Sequence, residues 1–251
     1  MDFIREIQKI ISLIEKQEAP AIEKAAEACA KSIAAGRAAL LFGAGHSALP
    51  PQEAFPRIGS IVGFVQITEP ELGFNGFVTG KGGQRQMSFL EQTPGFAEVI
   101  LSNYHLKPED TLIVFSNSGI NALPVEICDL ANRQSLTTIS VGSRAHSIAN
   151  APKNPLGKRL YEIADIHIDN HVPQGDTLVR LKGNIQTGGG STIAGMVIMN
   201  AIVVETVKRL NKQGVPFHIY PSHNVSGDEM EAVIKKEEAL FAAHKNLVSK
   251  L

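Results

Sequence analysis

The chain has 251 residues, of which 43% are hydrophobic and 20% are charged, and its net charge is −1. Such a chain fits one large α/β domain with helical additions, and its near-zero charge gives no reason to expect a nucleic-acid or anionic-membrane surface. The longest apolar stretch, residues 193–204, contains Asn200 and is too short to span a bilayer. The amphipathic start of the chain is unlike a signal peptide. We therefore expect a cytoplasmic protein with no membrane or nucleic-acid partner.

Two helices are predicted before the first strand. Apolar residues recur at helical spacing from 3 to 17, Ala19-Pro20 marks a break, and the segment 21–35 is closed by Gly36. We interpret residues 1–36 as a helical hairpin added to the sheet domain. Such hairpins often pack against a neighbouring subunit, which is a first indication of an oligomer.

Strands and helices alternate over residues 37–215, which predicts a parallel sheet with helices on both faces. The strands are expected near 38–43, 61–67, 111–116, 136–141 and 164–168, and the helices near 51–58, 87–103, 121–133 and 192–212. The alternating segment from Thr177 to Leu181 is predicted as a sixth strand at the edge of the sheet. Residues 216–251 form a third segment, which ends in a charged amphipathic helix.

Two of the apolar runs end in a small polar loop. The first strand is followed by residues 43–47, which contain His46 and Ser47, and the third strand is followed by residues 116–119. A helix follows each loop, so each loop lies at a helix N-terminus, where free N–H groups and the helix dipole favour an anion. Because both loops leave the same edge of one sheet, we predict a single pocket for a phosphorylated small molecule there.

The second loop is the more specific signal. Ser116 and Ser118, followed by glycine, can surround three phosphate oxygens with backbone and side-chain donors. Asn121 is placed to cap the next helix. The alternative is an ordinary strand–turn–helix corner in which Ser and Asn serve only as caps.

A further glycine-rich segment, residues 188–190, opens the last long helix of the sheet domain. Either Ser191 or Thr192 is the N-cap of that helix, or these residues make an additional contact to an anion or a hydroxyl group. The sequence leaves both interpretations open.

A dinucleotide site is an alternative for the first loop. Gly43-x-Gly45-x-x-Ala48 matches the G-x-G-x-x-G/A fingerprint, and Glu69 lies where a ribose-binding acid is expected. Pro50-Pro51 would strain a helix that ran straight on from Gly45. We therefore favour the phosphate pocket and expect no cofactor.

The end of the last predicted strand has a pattern of side chains that could hold a metal ion. His167, Asp169 and His171 alternate and so share a face. A strand terminus that emerges into solvent explains the same pattern, and we predict no metal.

The segments FGAGHS (42–47), FSNSG (115–119) and GST (190–192) resemble the SIS (sugar isomerase) domain family. The resemblance is closest to uncharacterised bacterial SIS-domain proteins assigned as phosphosugar isomerases, and it covers roughly residues 1–230. Further positions of the family pattern are matched here by Glu53, Arg57, Glu91, Gly95, Asn121, Gly175 and Asp176. The sequence departs from the pattern at Gln92, where arginine is expected, so we assign no charge contact to that position.

The resemblance implies a five-stranded parallel sheet in a three-layer α/β/α sandwich of the flavodoxin-like or Rossmann-like kind. It also implies a homodimer or homotetramer and a phosphosugar held by the serine loops. The family includes aldose–ketose isomerases, a phosphosugar etherase, isomerase domains of glucosamine-6-phosphate synthase and sensor domains of transcriptional regulators. Its phosphoheptose isomerases carry a catalytic histidine on the last core helix, and residues 191–210 contain none. That mechanism is therefore not assumed.

Isomerisation of a phosphosugar moves a proton between C1 and C2 through an enediolate, which needs a base over the carbons and an acid for ring opening. Glu53 is the first candidate base because it lies six residues after Ser47; its alternative is a solvated i,i+4 pair with Arg57. Glu91 is the second candidate, with surface solvation as its alternative. His223 is the third, in a turn that could complete the pocket across a subunit interface.

We predict that the protein binds a sugar phosphate and catalyses aldose–ketose isomerisation or a related enediolate proton transfer. The alternatives are a non-catalytic phosphosugar-binding regulator and, less favoured, an NAD-dependent enzyme. The predicted binding residues are Gly45, His46, Ser47, Ser116, Asn117, Ser118, Gly119, Asn121, Ser191 and Thr192.

Overall fold

The computed structural model describes residues 1–73, 83–222, 224 and 228–251. Its centre is a five-stranded, fully parallel sheet with strand order β2-β1-β3-β4-β5. The strands are β1 (Ala39–Gly43), β2 (Phe64–Gln66), β3 (Thr111–Phe115), β4 (Thr137–Gly142) and β5 (Ile166–Asp169). Every residue of β1 and β3 is buried, as expected for strands covered on both faces. The predicted five-stranded sheet is confirmed, and its order is the flavodoxin-like one.

Helices cover both faces of the sheet. They are α1 (Asp2–Leu13), α2 (Ala19–Ala34), α3 (Leu49–Ala54), α4 (Gly83–Glu91), α5 (Phe96–Leu101), α6 (Ala122–Arg133), α7 (Arg144–Ile148), α8 (Ser191–Gln213) and α9 (Asp228–Val248). The core facing α2 and α8 contains Leu41 and Ile198, whereas the opposite core contains Leu40 and Ile127 of α6. The predicted α/β/α sandwich with a C-terminal helix is therefore confirmed.

The N-terminal helices are joined without an open loop. Residues Ile14–Glu18 form a π-helical turn between α1 and α2, so residues 2–34 are one continuous helical stretch rather than two helices with a break. Pro20 at the start of α2 has no N–H to donate to the preceding turn, which explains a wider turn at this point.

Two predicted elements differ from those observed. The helix expected over 87–103 is divided into α4 and α5, because Pro94 has no N–H and Gly95 adopts a left-handed conformation with φ +81°. The segment from Thr177 is a strand, but its prediction as an edge of the main sheet is wrong. Residues Thr177–Arg180 (β6) pair antiparallel with Gln186–Gly189 (β7) in a separate hairpin.

A buried ion pair ties the C-terminus to the sheet domain. Arg37 lies just before β1, and its Nε donates to Asp110 Oδ1 at 3.0 Å. The Asp110 side chain is completely buried and also accepts from the N–H groups of Ala38 (3.0 Å) and Lys107 (2.8 Å). The Arg37 guanidinium further donates to the carbonyl of Lys250 at 3.0 Å. The last residues are thereby held at the amino-terminal edge of the strands.

Candidate functional site

The two serine loops leave neighbouring strands at the same edge of the sheet. Gly43, the last residue of β1, is in register with Phe115, the last residue of β3. Because β2 lies on one side of β1 and the chain continues from β3 on the other, the strand order reverses between β1 and β3. Ligands of open α/β sheets bind at such a switch point, beyond the carboxyl ends of the strands.

The first loop folds back tightly over the end of β1. A Cβ atom on Gly43 would lie 2.0 Å from the carbonyl oxygen of Ser47, so only glycine permits this approach. Residues Gly45–Ala48 form a 3₁₀ turn, in which Gly45 has φ +57° and the Ser47 N–H donates to the Ala44 carbonyl at 3.1 Å. His46 is exposed and Ser47 is half-buried. The turn therefore presents both side chains beyond the strand.

The second loop is anchored to the neighbouring strand β4. Ser116 is buried, and its Oγ accepts from the Gly119 N–H at 3.2 Å, which closes the turn. A Cβ on Gly142 would lie 2.2 Å from the Ser116 carbonyl oxygen, and the Ser143 N–H donates to the Asn117 carbonyl at 3.0 Å. The loop is thus fixed from both sides before α6 begins.

A third element reaches the same place from a distant part of the chain. The N-cap of α8 is Gly190, so neither Ser191 nor Thr192 caps the helix, which was one of the two open interpretations, and the capping carboxylate comes from Asp176. Gly195 allows α8 to approach the first loop, because a Cβ there would lie 2.8 Å from Cγ of Pro50 in α3. The start of α8 therefore forms one wall of the site.

These three elements surround a cleft. It is lined by His46, Ser47, Pro50, Phe115, Ser116, Asn117, Val141, Asn170, Ser191, Thr192 and Gly195. Six of the ten predicted binding residues are among them, and the lining is polar around the loops and apolar towards the sheet. Gly45, Asn121 and the candidate bases Glu53 and Glu91 do not line this cleft. Ser118 and Gly119 line a second cavity beside it.

Asn170 is a cleft residue that the sequence reasoning missed. It follows β5 directly, and its Nδ2 donates to Asn117 Oδ1 at 2.9 Å. The Val172 N–H donates to Asn170 Oδ1 at 3.0 Å, which fixes the orientation of the Asn170 amide. Its position after a parallel strand is the signal that could have found it. The Asn117 amide is thereby held with its Nδ2 group available to a ligand.

Glu53 forms an i,i+4 ion pair with Arg57, the arrangement given above as the alternative to a catalytic role. Its Oε1 accepts from Arg57 Nε at 2.9 Å, four residues away, and the Arg57 side chain is half exposed. The pair lies at the outer end of α3. A catalytic role for Glu53 stays a prediction.

Glu91 has a different environment. Burial raises the pKa of its carboxyl group, and a hydrogen bond with the Asn121 side chain opposes that effect. Asn121 is the N-cap of α6, but its side chain makes no capping hydrogen bond, contrary to the predicted capping role. Glu91 therefore lies against the start of the helix that follows the second serine loop.

The second cavity is also lined mainly by polar residues. It is lined by Ser116, Asn117, Ser118, Gly119, Ser140, Gly142, Ser143, Ser147, Leu160, Tyr161 and His167. His167 Nδ1 is 2.9 Å from Ser140 Oγ, and burial lowers the His167 pKa to about 4. The imidazole is therefore neutral at pH 7 and does not attract an anion by charge.

The alternating histidines at the end of β5 are separated by their partners. His171 Nε2 lies 3.0 Å from Oε1 of Glu18, whereas His167 contacts β4. Among residues 1–73, 83–222, 224 and 228–251, no group of three His, Cys, Asp or Glu side chains could hold a metal ion. No helix in the same described residues is long and apolar enough to cross a membrane. His223 lies outside the described residues.

The fold and the cleft together define a flavodoxin-like α/β protein with a polar cleft at its switch point. The family model of the SIS domain matches residues 2–143 of the chain. The chain therefore belongs to the SIS domain family, as its motifs predict.

Its relatives are proteins of similar length. A UPF0309 protein of Halalkalibacterium halodurans is 31% identical over 227 residues, which cover 90% of this chain and 88% of the relative. A UPF0309 protein of Geobacillus thermodenitrificans is 29% identical with the same coverage. Among solved structures, phosphoheptose isomerases from Neisseria gonorrhoeae and Francisella tularensis share the fold with TM-scores of 0.56 and 0.55. Both are 14% identical to this chain, covering 82% of it and 95% of their own length.

Proposed function

We propose that the chain binds a phosphorylated sugar in the cleft between β1, β3 and α8, and that it catalyses aldose–ketose isomerisation or a related enediolate proton transfer. The observation that carries the proposal is the meeting of two serine loops at the switch point of the sheet. Membership of the SIS domain family supports it, as do two structural neighbours whose names are phosphoheptose isomerase.

The phosphate group is assigned to the loop side of the cleft. Ser47 and Ser116 lie beyond the ends of adjacent strands, and α6 begins three residues after Gly119. Hydroxyl and backbone donors at a helix N-terminus are suited to the oxygens of a phosphate dianion. Hydroxyl groups of the sugar then lie towards Asn170 and α8.

Glu91 is the proposed proton-transfer group. A base that works near neutral pH needs a pKa above that of an exposed carboxyl, and burial shifts the Glu91 pKa in this direction. Its contact with Asn121 puts it beside the start of α6 and outside the lining of the cleft, so the reaction requires C1 and C2 of the sugar to come within reach of this side. Glu53 instead forms an ion pair with Arg57.

A non-catalytic phosphosugar-binding protein is the second candidate. The observation that favours it is the lining of the cleft, which includes no carboxylate among the described residues. A regulator needs only to bind its ligand, whereas an isomerase needs a base at the reacting carbons. An NAD-dependent enzyme is not proposed, because the observed strand order differs from the 3-2-1-4-5-6 order of dinucleotide-binding domains.

Proton exchange distinguishes the two candidates. The protein is incubated in D₂O with ribose 5-phosphate, fructose 6-phosphate, glucosamine 6-phosphate and sedoheptulose 7-phosphate, and deuterium at C1 and C2 is followed by NMR. An isomerase exchanges these protons with one of the sugars. Glu91→Gln is expected to slow the exchange by about 10²- to 10⁴-fold without loss of binding. Glu53→Gln is measured beside it, and a comparable loss of exchange in that variant alone would assign the base to Glu53. Binding without exchange for every sugar would favour the regulator.

A further inference from the structure

The carboxylate of Asp176 occupies the N-terminus of α8. Its Oδ1 accepts from the N–H groups of Gly190 at 3.0 Å and Ser191 at 2.8 Å, and its Oδ2 accepts from the Ser191 hydroxyl at 2.7 Å. Asp176 holds this position with φ +61°, a left-handed conformation that is uncommon for a residue other than glycine. The place where a helix N-terminus would bind an anion is therefore already taken by a carboxylate of the chain itself.

This contact fixes the hydrogen-bonding direction of Ser191. A serine hydroxyl has one proton, and that of Ser191 is donated to Asp176. Towards the cleft, Ser191 Oγ can offer only its lone pairs. A phosphate dianion has no proton to donate, so it gains nothing from Ser191 and is repelled by the nearby carboxylate. A sugar hydroxyl, in contrast, can donate to Ser191.

On the opposite side of the cleft, the groups available to a ligand are hydrogen-bond donors. Ser116 Oγ accepts from the Gly119 N–H, a bond that leaves the Ser116 proton free to be donated. Asn117 Oδ1 accepts from Asn170, so its Nδ2 group is the part available to a ligand. The loop between β3 and α6 therefore offers donors, whereas Ser191 of α8 offers an acceptor.

We propose that Asp176 is a positioning residue that makes the α8 wall of the cleft a subsite for hydroxyl donors of the sugar and directs the phosphate to the loop side. The inference rests on the proposed phosphosugar function and adds the orientation of the ligand to it. It also resolves the open interpretation of Ser191, which becomes a hydroxyl contact and not an anion contact.

Asp176→Asn tests the inference because it reverses the direction of one hydrogen bond. The asparagine Oδ1 can still accept from the two backbone N–H groups, which preserves the cap. Its Nδ2 donates to Ser191 Oγ, so the Ser191 proton turns towards the cleft and one negative charge is removed. Calorimetric titration is carried out with inorganic phosphate and with the four phosphosugars named above.

The expected result is a change in selectivity. Asp176→Asn and Ser191→Ala weaken binding of the phosphosugar by about three- to tenfold, the effect of one lost neutral hydrogen bond. Neither variant weakens binding of inorganic phosphate. Asp165→Asn is the matched control. Asp165 likewise accepts from a backbone N–H and a hydroxyl, both of Thr138, but it lies just before β5, at the amino-terminal edge of the sheet. It should leave both affinities unchanged.

Two outcomes overturn the inference. Equal weakening of inorganic phosphate and phosphosugar by Ser191→Ala would place the phosphate at α8. An unchanged phosphosugar affinity in both variants would show that Ser191 does not contact the sugar. A wild-type protein that binds none of the four phosphosugars would overturn the proposed function and this inference together, which separates that failure from the first two.

Discussion

The first loop approaches β1 so closely at Gly43 that even the methyl group of alanine should disturb both folding and binding. In Gly43→Ala the added Cβ would lie 2.0 Å from the Ser47 carbonyl oxygen, 2.5 Å from its carbon and 2.9 Å from the Ala48 nitrogen. Non-bonded carbon atoms pack at about 3.5–4.0 Å. The turn therefore has to move by more than about 1 Å, which displaces Ser47 from the site.

The magnitude follows from two effects. Overpacking at a tightly packed position costs about 1–3 kcal/mol of folding free energy. For a chain of this length that corresponds to a fall in Tm of about 2–12 °C. Loss of one charge-assisted hydrogen bond from the Ser47 hydroxyl to phosphate costs about 1.5–3 kcal/mol, or roughly 10- to 100-fold in affinity.

Scanning calorimetry measures the first effect and titration with a phosphosugar measures the second. Gly73→Ala is the matched control. Gly73 has φ −87°, and a Cβ added there would lie 3.3 Å from the Pro70 carbonyl oxygen, its nearest neighbour. This control should melt and bind nearly like the wild type. A Gly43→Ala protein that also melts and binds like the wild type would refute the folded-back loop.

Two further predictions concern charge. Arg37→Met should lower the free energy of unfolding by about 3–5 kcal/mol, because it leaves the completely buried Asp110 carboxylate without its partner; denaturant titration measures this, and a loss below about 1 kcal/mol would contradict it. The pKa of Glu91 in the folded protein lies above its ordinary value of 4.5. Between these two pKa values the folded protein binds more protons than the unfolded chain, so the free energy of unfolding falls as pH rises. Glu91→Gln should therefore raise Tm at pH 7, and the gain should vanish below pH 4.5, where wild-type Glu91 is protonated in both states; a gain that persists at low pH would have another cause.

The sheet was predictable because its strands carry local signals. β1 and β3 are apolar runs that end in glycine- and serine-containing loops, and parallel strands place such loops at one edge. The same signals located six residues of the cleft. Local pattern therefore locates residues of this cleft where they follow strands closely.

The remaining features depend on contacts between distant parts of the sequence. The alternation from Thr177 indicates a strand but not its partner, and β6 pairs with β7 and not with the sheet. Asp176 caps a helix that begins 15 residues later, and Asn170 contacts a loop 53 residues earlier. Asn121 is a residue type that often caps helices, yet its side chain forms a hydrogen bond with Glu91 and no capping bond. In each case tertiary packing selects among arrangements that the local sequence permits.

Binding of a phosphosugar and of its unphosphorylated counterpart tests the central claim most directly. A ligand at 100 times its Kd stabilises the native state by about 2.7 kcal/mol, which raises Tm by about 5–11 °C for a chain of this size. The account predicts such a rise with one of the four phosphosugars, none with the matching free sugar, and its loss in the Ser116→Ala, Ser118→Ala double variant. Equal shifts with the free sugar, or an undiminished shift in the double variant, would contradict phosphate recognition by the serine loops.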